Sequence, residues 1–406
     1  MKRIAAIFAV ALLLRLGMVG LWRHTGHGNR LSSDSDVYYG MAQSLAQGKG
    51  FLFDGRPTSR RAPLYPLFMT GLVKFFPFPI GVQVAQAFVG SLSCLLLFGI
   101  GKELFGRGTG LWASGLMAVD YLSIRHTVSI LPETLFVFFV LSLFFLLMRS
   151  QREKSFAGLL AAGGLAGLSL LTKDALIYYF PLVALWLFFK NRGHWREGVL
   201  QATGFLIALL IVIAPWVVRN SLLYRNFVLI TMSSGHTFYI GNNPLVTVKT
   251  DEGDWGVGRD YQFPQDPGIP PLWTLEADRY LFKKGREFVR EHPRRFVELM
   301  GRKMVKMWRP FYPDSPVLAQ WASALSYFPV MVLALPGLVW SWRKRAELFP
   351  VYVLILYITL VYAVTISGLR YRVPAMPFLM VFAGLAASEL WQRLRNRQFT
   401  SVSRFC

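Results

Sequence analysis

Long apolar runs, recurring along most of the chain, constrain this sequence more than any other feature. A helix needs about 20 apolar residues to cross the hydrocarbon core, and inside that core the backbone must satisfy its own hydrogen bonds. Candidate spans lie near 4–22, 80–101, 108–124, 128–148, 155–172, 175–189, 199–218, 317–340, 348–367 and 373–391. The shortest are 108–124 and 175–189. Only 16% of the residues are charged and 54% are hydrophobic, whereas soluble domains carry about 25% charged residues. That balance excludes a disordered chain, a collagen, a disulfide scaffold and an ordinary soluble enzyme. The expectation is an all-α polytopic membrane protein, a single domain over 1–406 with about ten transmembrane helices.

The basic residues set the expected orientation. Lys2 and Arg3 precede the first span, and Leu21-Trp22-Arg23 follows it in place of a small-residue cleavage site. It therefore reads as an uncleaved first helix. With the N-terminus inside, the inner segments hold Lys102, Arg107, Arg149, Arg152, Lys154, Lys190, Arg192, Arg196, Arg343, Lys344 and Arg345. The basic tail 392–406 joins them. The short outer loops hold only Arg125, Lys173, Arg370 and Arg372. This asymmetry places both ends in the cytoplasm and two long loops, about 23–79 and 219–316, outside. The net charge of +22 is then a matter of anionic lipid, not nucleic acid. Cys94 and Cys406 suit neither a disulfide nor a metal site.

The first outer loop has helical spacing. Tyr38, Met41, Ala42, Leu45 and Ala46 fall on one face after Asp34 and Asp36, and Gly48 and Gly50 stop the run. The spacing predicts a short amphipathic helix on the membrane surface. A second interfacial helix follows Arg61-Ala62-Pro63-Leu64-Tyr65-Pro66. In the second outer loop, 253–271 reads as irregular chain, and 274–291 and 293–308 as charged helices broken at Pro293. No internal repeat is evident.

Charged residues gathered at the outer rim carry the chemistry. Asp34, Asp36, Arg61, Glu133, Lys173, Asp174, Arg370 and Arg372 come from separate loops of one face. A carboxylate can take a proton from a hydroxyl, and Arg and Lys can hold a departing phosphate. Each residue also has a structural reading. Asp34 and Asp36 can cap the helix after them, Arg61 can anchor a lipid headgroup, and Glu133 can complement a helix dipole. Lys173, Arg370 and Arg372 can snorkel. Arg15 lies inside the first span and needs a partner there; His126 and His236 read as structural. No Walker or dinucleotide loop is present, and no His, Cys or carboxylate cluster has metal-ligand spacing.

Seven motifs in order carry a resemblance. They are Asp34-x3-Tyr38-x3-Ala42-x2-Leu45; Arg61-x-Pro63-x-Tyr65-Pro66; Leu131-Pro132-Glu133-Thr134-Leu135-Phe136; Gly167-Leu168-x2-Leu171-Thr172-Lys173; Pro215-Trp216-x2-Arg219-Asn220; Gly241-Asn242-Asn243-Pro244; and Arg370-Tyr371-Arg372-x-Pro374. Together the chain resembles the GT-C glycosyltransferases of the bacterial family 39 type, related to protein O-mannosyltransferases and lipid A aminoarabinose transferases. Ser35 stands where the aminoarabinose transferases have a second acidic residue, and Arg61-Ala62-Pro63 where they have Lys-Pro-Pro. The resemblance implies a reaction class rather than one particular sugar. It implies an inverting transfer from a polyprenyl-phosphate sugar to a hydroxyl of a lipid, glycan or protein, at the periplasmic face of a bacterial inner membrane. Asp34 is then the base and Asp36 its neighbour, with a divalent metal ion on Asp36 as an option and no other cofactor. Arg61, Lys173, Arg370 and Arg372 would hold phosphate, and Tyr65 and Glu133 would contact substrate. The competing readings are a transporter or lipid-linked glycan flippase, which wants ionisable residues in mid-span, a lipid-linked glycan ligase, which wants a late-loop Arg and His, and a non-enzymatic assembly factor.

Overall fold

The computed structural model describes residues 2–26, 33–191, 193–247 and 268–402. Most of the predicted irregular stretch 253–271 and the last four residues of the tail, Cys406 included, lie outside them. Each of the ten apolar runs contains a helix. These are α1 (Lys2–His24), α4 (Ile80–Phe105), α5 (Arg107–Val119), α7 (Glu133–Glu153), α8 (Phe156–Thr172), α9 (Phe180–Lys190), α10 (Trp195–Tyr224), α14 (Val317–Ser341), α15 (Arg345–Val364) and α16 (Met376–Val402). Between them lie α2 (Ser33–Ala46), α3 (Leu64–Phe75), α6 (Tyr121–Val128), α11 (Ser234–Ile240), α12 (Leu275–Glu291) and α13 (Pro293–Trp308). This is an all-α polytopic membrane fold. Among the described residues, five helical segments are long and apolar enough to cross a membrane: Lys2–His24, Ile80–Phe105, Glu133–Glu153, Trp195–Tyr224 and Val317–Val364.

Two predicted spans are shorter than expected. The run 108–124 breaks at Asp120, whose carboxylate accepts from Ser123 N at 2.8 Å and Ser123 Oγ at 2.6 Å and so starts α6. That leaves 13 residues in α5. The run 175–189 opens with a 3-10 turn at Asp174–Leu176 and leaves 11 residues in α9. At 1.5 Å per residue, either helix alone covers at most about two thirds of the hydrocarbon thickness.

Small residues let the helices touch. A side chain at Gly337 of α14 would have its Cβ 1.9 Å from the Phe382 carbonyl of α16. One at Gly101 of α4 would fall 2.8 Å from Gly110 Cα of α5. Such close backbone approach is how membrane helices gain dispersion energy where lipid is as apolar as their side chains. Arg15 finds its partners here. Its guanidinium donates to Ala11 O at 3.1 Å and, at 3.5 Å each, to the Met117 and Ala118 carbonyls that end α5. A buried cation thus answers the negative end of a helix.

The two rims differ in kind. At one, Lys344 donates to Leu104 O at 2.7 Å, Arg152 pairs with Glu103 at 2.6 Å and Lys190 donates to Gln151 at 3.2 Å. These are the basic positions that the sequence places inside. The other rim is built by α2, α3, α6 and the second long loop. The apolar face of α2 meets protein there rather than a membrane surface: Tyr38, Met41 and Ala42 are buried, and Tyr38 and Ala42 share a core cluster with Tyr65 and Met69 of α3. A two-stranded hairpin, Leu52–Phe53 with Arg56–Pro57, turns on Asp54-Gly55, both at positive φ. Asp-Gly is a favoured pair for such a two-residue turn.

Candidate active site

Helix α2 begins at Ser33, so its first turn places Asp34 on the rim. The loop 58–61 is fixed from α10. Asn220 Oδ1 accepts from Ser59 Oγ at 2.9 Å, the Tyr224 hydroxyl from Ser59 N at 2.9 Å, and Arg219 donates to Thr58 O at 3.0 Å. Trp216 and Asn220 also hold the next strand of chain by donating to Ile230 O. The Pro215-to-Asn220 motif therefore works as scaffold, and what it positions is Arg61. A third component arrives from the 3-10 turn Leu369–Arg372, which carries Arg370.

These elements meet at one carboxylate. Arg61 Nη2 donates to Asp34 Oδ1, and Arg370 Nη2 donates to Asp34 Oδ2 at 2.9 Å. All three side chains retain about a fifth of their surface, between 19 and 24%, so the cluster is lined by protein yet reachable. Burial alone raises the Asp34 carboxyl. Arg370 and then Arg61 override that effect and hold it well below the usual carboxylate range. Arg370 Nη2 also donates to the Tyr371 hydroxyl at 2.8 Å. Next to this lies a second pair, Lys173 Nζ to Glu133 Oε1 at 3.0 Å. Glu133 is 2% exposed, and its Oε2 has no hydrogen-bond partner among the described residues. The Lys173 ammonium sits 5.1 Å from the centre of the Tyr371 ring, so Tyr371 links the two pairs.

Five residues singled out in the sequence, Asp34, Arg61, Glu133, Lys173 and Arg370, are thus assembled in space. Three others are placed differently. Arg372 turns away: it donates to the Met307 carbonyl at 3.2 Å and to that of Arg309, and lies 4.2 Å over the Tyr327 ring. It fastens the end of α13 to the 369–372 turn. Tyr65 is fully buried and donates to Gln86 Oε1 at 2.9 Å. Gln86 in turn donates to the Thr127 and Ser129 carbonyls, so Tyr65 supports the floor of the site without facing substrate. Asp36 is exposed, one turn-face away from Asp34. Among the described residues no three His, Cys, Asp or Glu side chains gather to hold a metal ion. Asp34 and Glu133 are already matched with three cations, a set that repels a metal rather than binding one.

The second long loop brings up His236, which the sequence reads as structural, and Trp273, which the sequence does not single out. His236 and Trp273 rings lie 4.3 Å apart, and the Arg60 guanidinium lies 3.3 Å over Trp273. His236 is seated by Asp278 of α12, which accepts from Gly235 N at 2.8 Å and His236 N at 3.1 Å. Burial, then Arg60 and Arg61, push its imidazole down to about 4 against the pull of Asp34. His236 is therefore a neutral donor–acceptor beside the cluster. Only the tertiary fold joins it to Asp34, since no spacing in the sequence connects the two loops.

Residues 60–218 match the family described as dolichyl-phosphate-mannose-protein mannosyltransferase. No curated protein sequence matches the chain. Among solved structures, it is similar to archaeal oligosaccharyltransferase AglB from Archaeoglobus fulgidus in complex with an inhibitory peptide and a dolichol-phosphate. The TM-score is 0.62 at 12% identity, over 98% of this chain and 52% of that one. It is also similar to ArnT from Cupriavidus metallidurans bound to undecaprenyl phosphate. There the TM-score is 0.59 at 15% identity, over 99% of this chain and 63% of that one. The chain thus spans between about half and just under two thirds of the length of these structures. The chain thus shares the fold of these two structures along nearly its whole length, and residues 60–218 are similar to the mannosyltransferase family.

Proposed function

We propose that the protein transfers a sugar from a polyprenyl-phosphate donor to an acceptor hydroxyl of a lipid, glycan or protein, with inversion, at the periplasmic face of a bacterial inner membrane. The observation that carries this reading is the Asp34 carboxylate set between Arg61 and Arg370. The acceptor O–H attacks the anomeric carbon, and its proton passes to Asp34. The bond from the anomeric carbon to the phosphate oxygen breaks, and the lipid phosphate leaves with the electron pair. A phosphate ester needs no general acid to depart, but it does need fixed cations, which Arg61, Arg370 and Lys173 supply. Glu133, with one oxygen spare, is placed to accept a hydroxyl of sugar or acceptor.

Charge balance supports the same assignment. Three cations and two carboxylates leave the cluster one unit positive, which matches a singly charged phosphodiester donor. After transfer the lipid phosphate approaches a dianion, as its second pKa is about 6, and the proton on Asp34 restores the match. The likeness to structures holding undecaprenyl phosphate or dolichol-phosphate favours a lipid-phosphate donor. The test incubates purified protein with a panel of polyprenyl-phosphate sugars and scores free polyprenyl phosphate. Release by the wild type from at least one donor, absent with Asp34→Asn, is expected. No release from any of them, with the protein folded and an acceptor extract supplied, counts against the reading.

A further inference from the structure

We propose that Asp34 and the phosphate of the lipid compete for one pair of guanidinium groups, so that donor binding itself takes Arg61 and Arg370 from Asp34 and frees the base. The inference rests on the proposed function and adds a coupling between donor binding and base strength. A carboxylate clamped by two arginines is a poor proton acceptor, because each cation favours its charged form. A base for a hydroxyl works better without them. A phosphate presents the same kind of anionic oxygens to the same forks.

The contacts leave room for the exchange. Arg61 meets Asp34 through Nη2 alone, and its Nη1 makes a 3.4 Å bond to Arg60 O. Arg370 also reaches Asp34 through Nη2 alone, and shares that nitrogen with the Tyr371 hydroxyl. Neither arginine grips the carboxylate with two parallel bonds, so each keeps N–H donors for a second anion. The other charged or titratable groups facing the cluster include Tyr38 of the same helix, Arg60, His126, Glu133, Lys173, His236 and Tyr362. Lys173 is engaged by Glu133, whereas, among the described residues, the carboxylate in direct ion-pair contact with Arg61 and Arg370 is that of Asp34.

The experiment measures binding of undecaprenyl phosphate to the full chain in detergent, with inorganic phosphate and phosphatidylglycerol alongside. Asp34→Asn and Asp34→Ser, which remove the competitor, should bind undecaprenyl phosphate roughly tenfold tighter than wild type. Asp34→Glu, which keeps it, should bind like wild type, and Arg61→Ala and Arg370→Ala should bind more weakly. Inorganic phosphate should show the same order at lower affinity, and phosphatidylglycerol should show none. Equal or weaker binding by both neutral Asp34 variants, with both arginine variants weakened, overturns the competition while leaving the phosphate site intact. Unchanged binding in both arginine variants overturns the phosphate reading itself. If the neutral variants fold only when purified with undecaprenyl phosphate, the lipid has replaced the carboxylate and the proposal stands. If they fold under neither condition, Asp34 is a structural ion and the proposal falls.

Discussion

Exchanging one oxygen of Asp34 for an amide nitrogen separates the two roles this residue can have. Asn caps a helix as well as Asp does, but it cannot take a proton. Asp34→Asn should therefore give a folded protein with turnover reduced by roughly 10²–10⁴; normal turnover at normal thermal stability would return Asp34 to a capping role. At Arg61, Ala should weaken donor binding strongly, and Lys should recover only part, because an ammonium lacks the planar fork. Equal KM in Arg61→Ala and wild type would make it a headgroup anchor. Arg372→Ala should behave otherwise. Its hydrogen bonds go to the Met307 and Arg309 carbonyls, so the loss of about 1–3 kcal/mol should appear as a lower melting temperature, with KM for the donor little changed. The sequence places Arg370 and Arg372 together at the rim but says nothing of their directions. In a 3-10 turn successive side chains step by about a third of a circle, so residues two apart diverge. That geometry gives one arginine to Asp34 and the other to α13.

Among the elements, α13 carries the most unusual ionisable group outside the site. Lys303 is fully buried, and its ammonium donates to Asn242 Oδ1 at 3.2 Å. Asn242 itself donates to the Phe238 and Val364 carbonyls, and Ser367 Oγ donates to Lys303 O at 2.6 Å. The Gly241-to-Pro244 motif is therefore a joint between the second long loop, α13 and the chain that follows α15. Burial pushes the Lys303 ammonium down to about 7. Its folded value lies below its unfolded one, so between about 7 and 10.5 the unfolded chain holds a proton that the folded protein has released. Stability should then rise with pH across that window and level off below it. Lys303→Met should flatten the rise, measured as melting temperature at pH 7, 8 and 9; parallel slopes for the two proteins would mean that Lys303 stays charged in the fold. The helices on either side of Pro293 were legible because their apolar residues repeat at helical spacing. This joint was not, since Asn242 and Lys303 meet only through tertiary contact.

For the molecule as a whole, the apolar runs disclosed the helices, because bilayer thickness acts on any sequence locally, and the basic residues predict the sides. What stayed hidden was depth. Asp120 ends one run early and a 3-10 turn shortens another, so the number of crossings depends on packing as well as on hydropathy. The charge asymmetry still makes a definite prediction. Lys102, Arg149, Arg152, Lys190 and Lys344 belong to the rim opposite Asp34, where Arg152, Lys190 and Lys344 each bond to a neighbouring helix. Lipid charge favours that rim on the cytoplasmic side. A reporter fused after Cys406 should therefore read as cytoplasmic, and one inserted near Gly258 as external. A single cysteine placed at Lys74, at the end of α3, should react with an impermeant thiol reagent in intact cells once Cys94 and Cys406 are replaced, and one at Lys154 should not. Labelling at Lys154 with protection at Lys74 would invert the molecule and move Asp34 to the cytoplasmic face. The donor would then have to present its sugar from inside the cell.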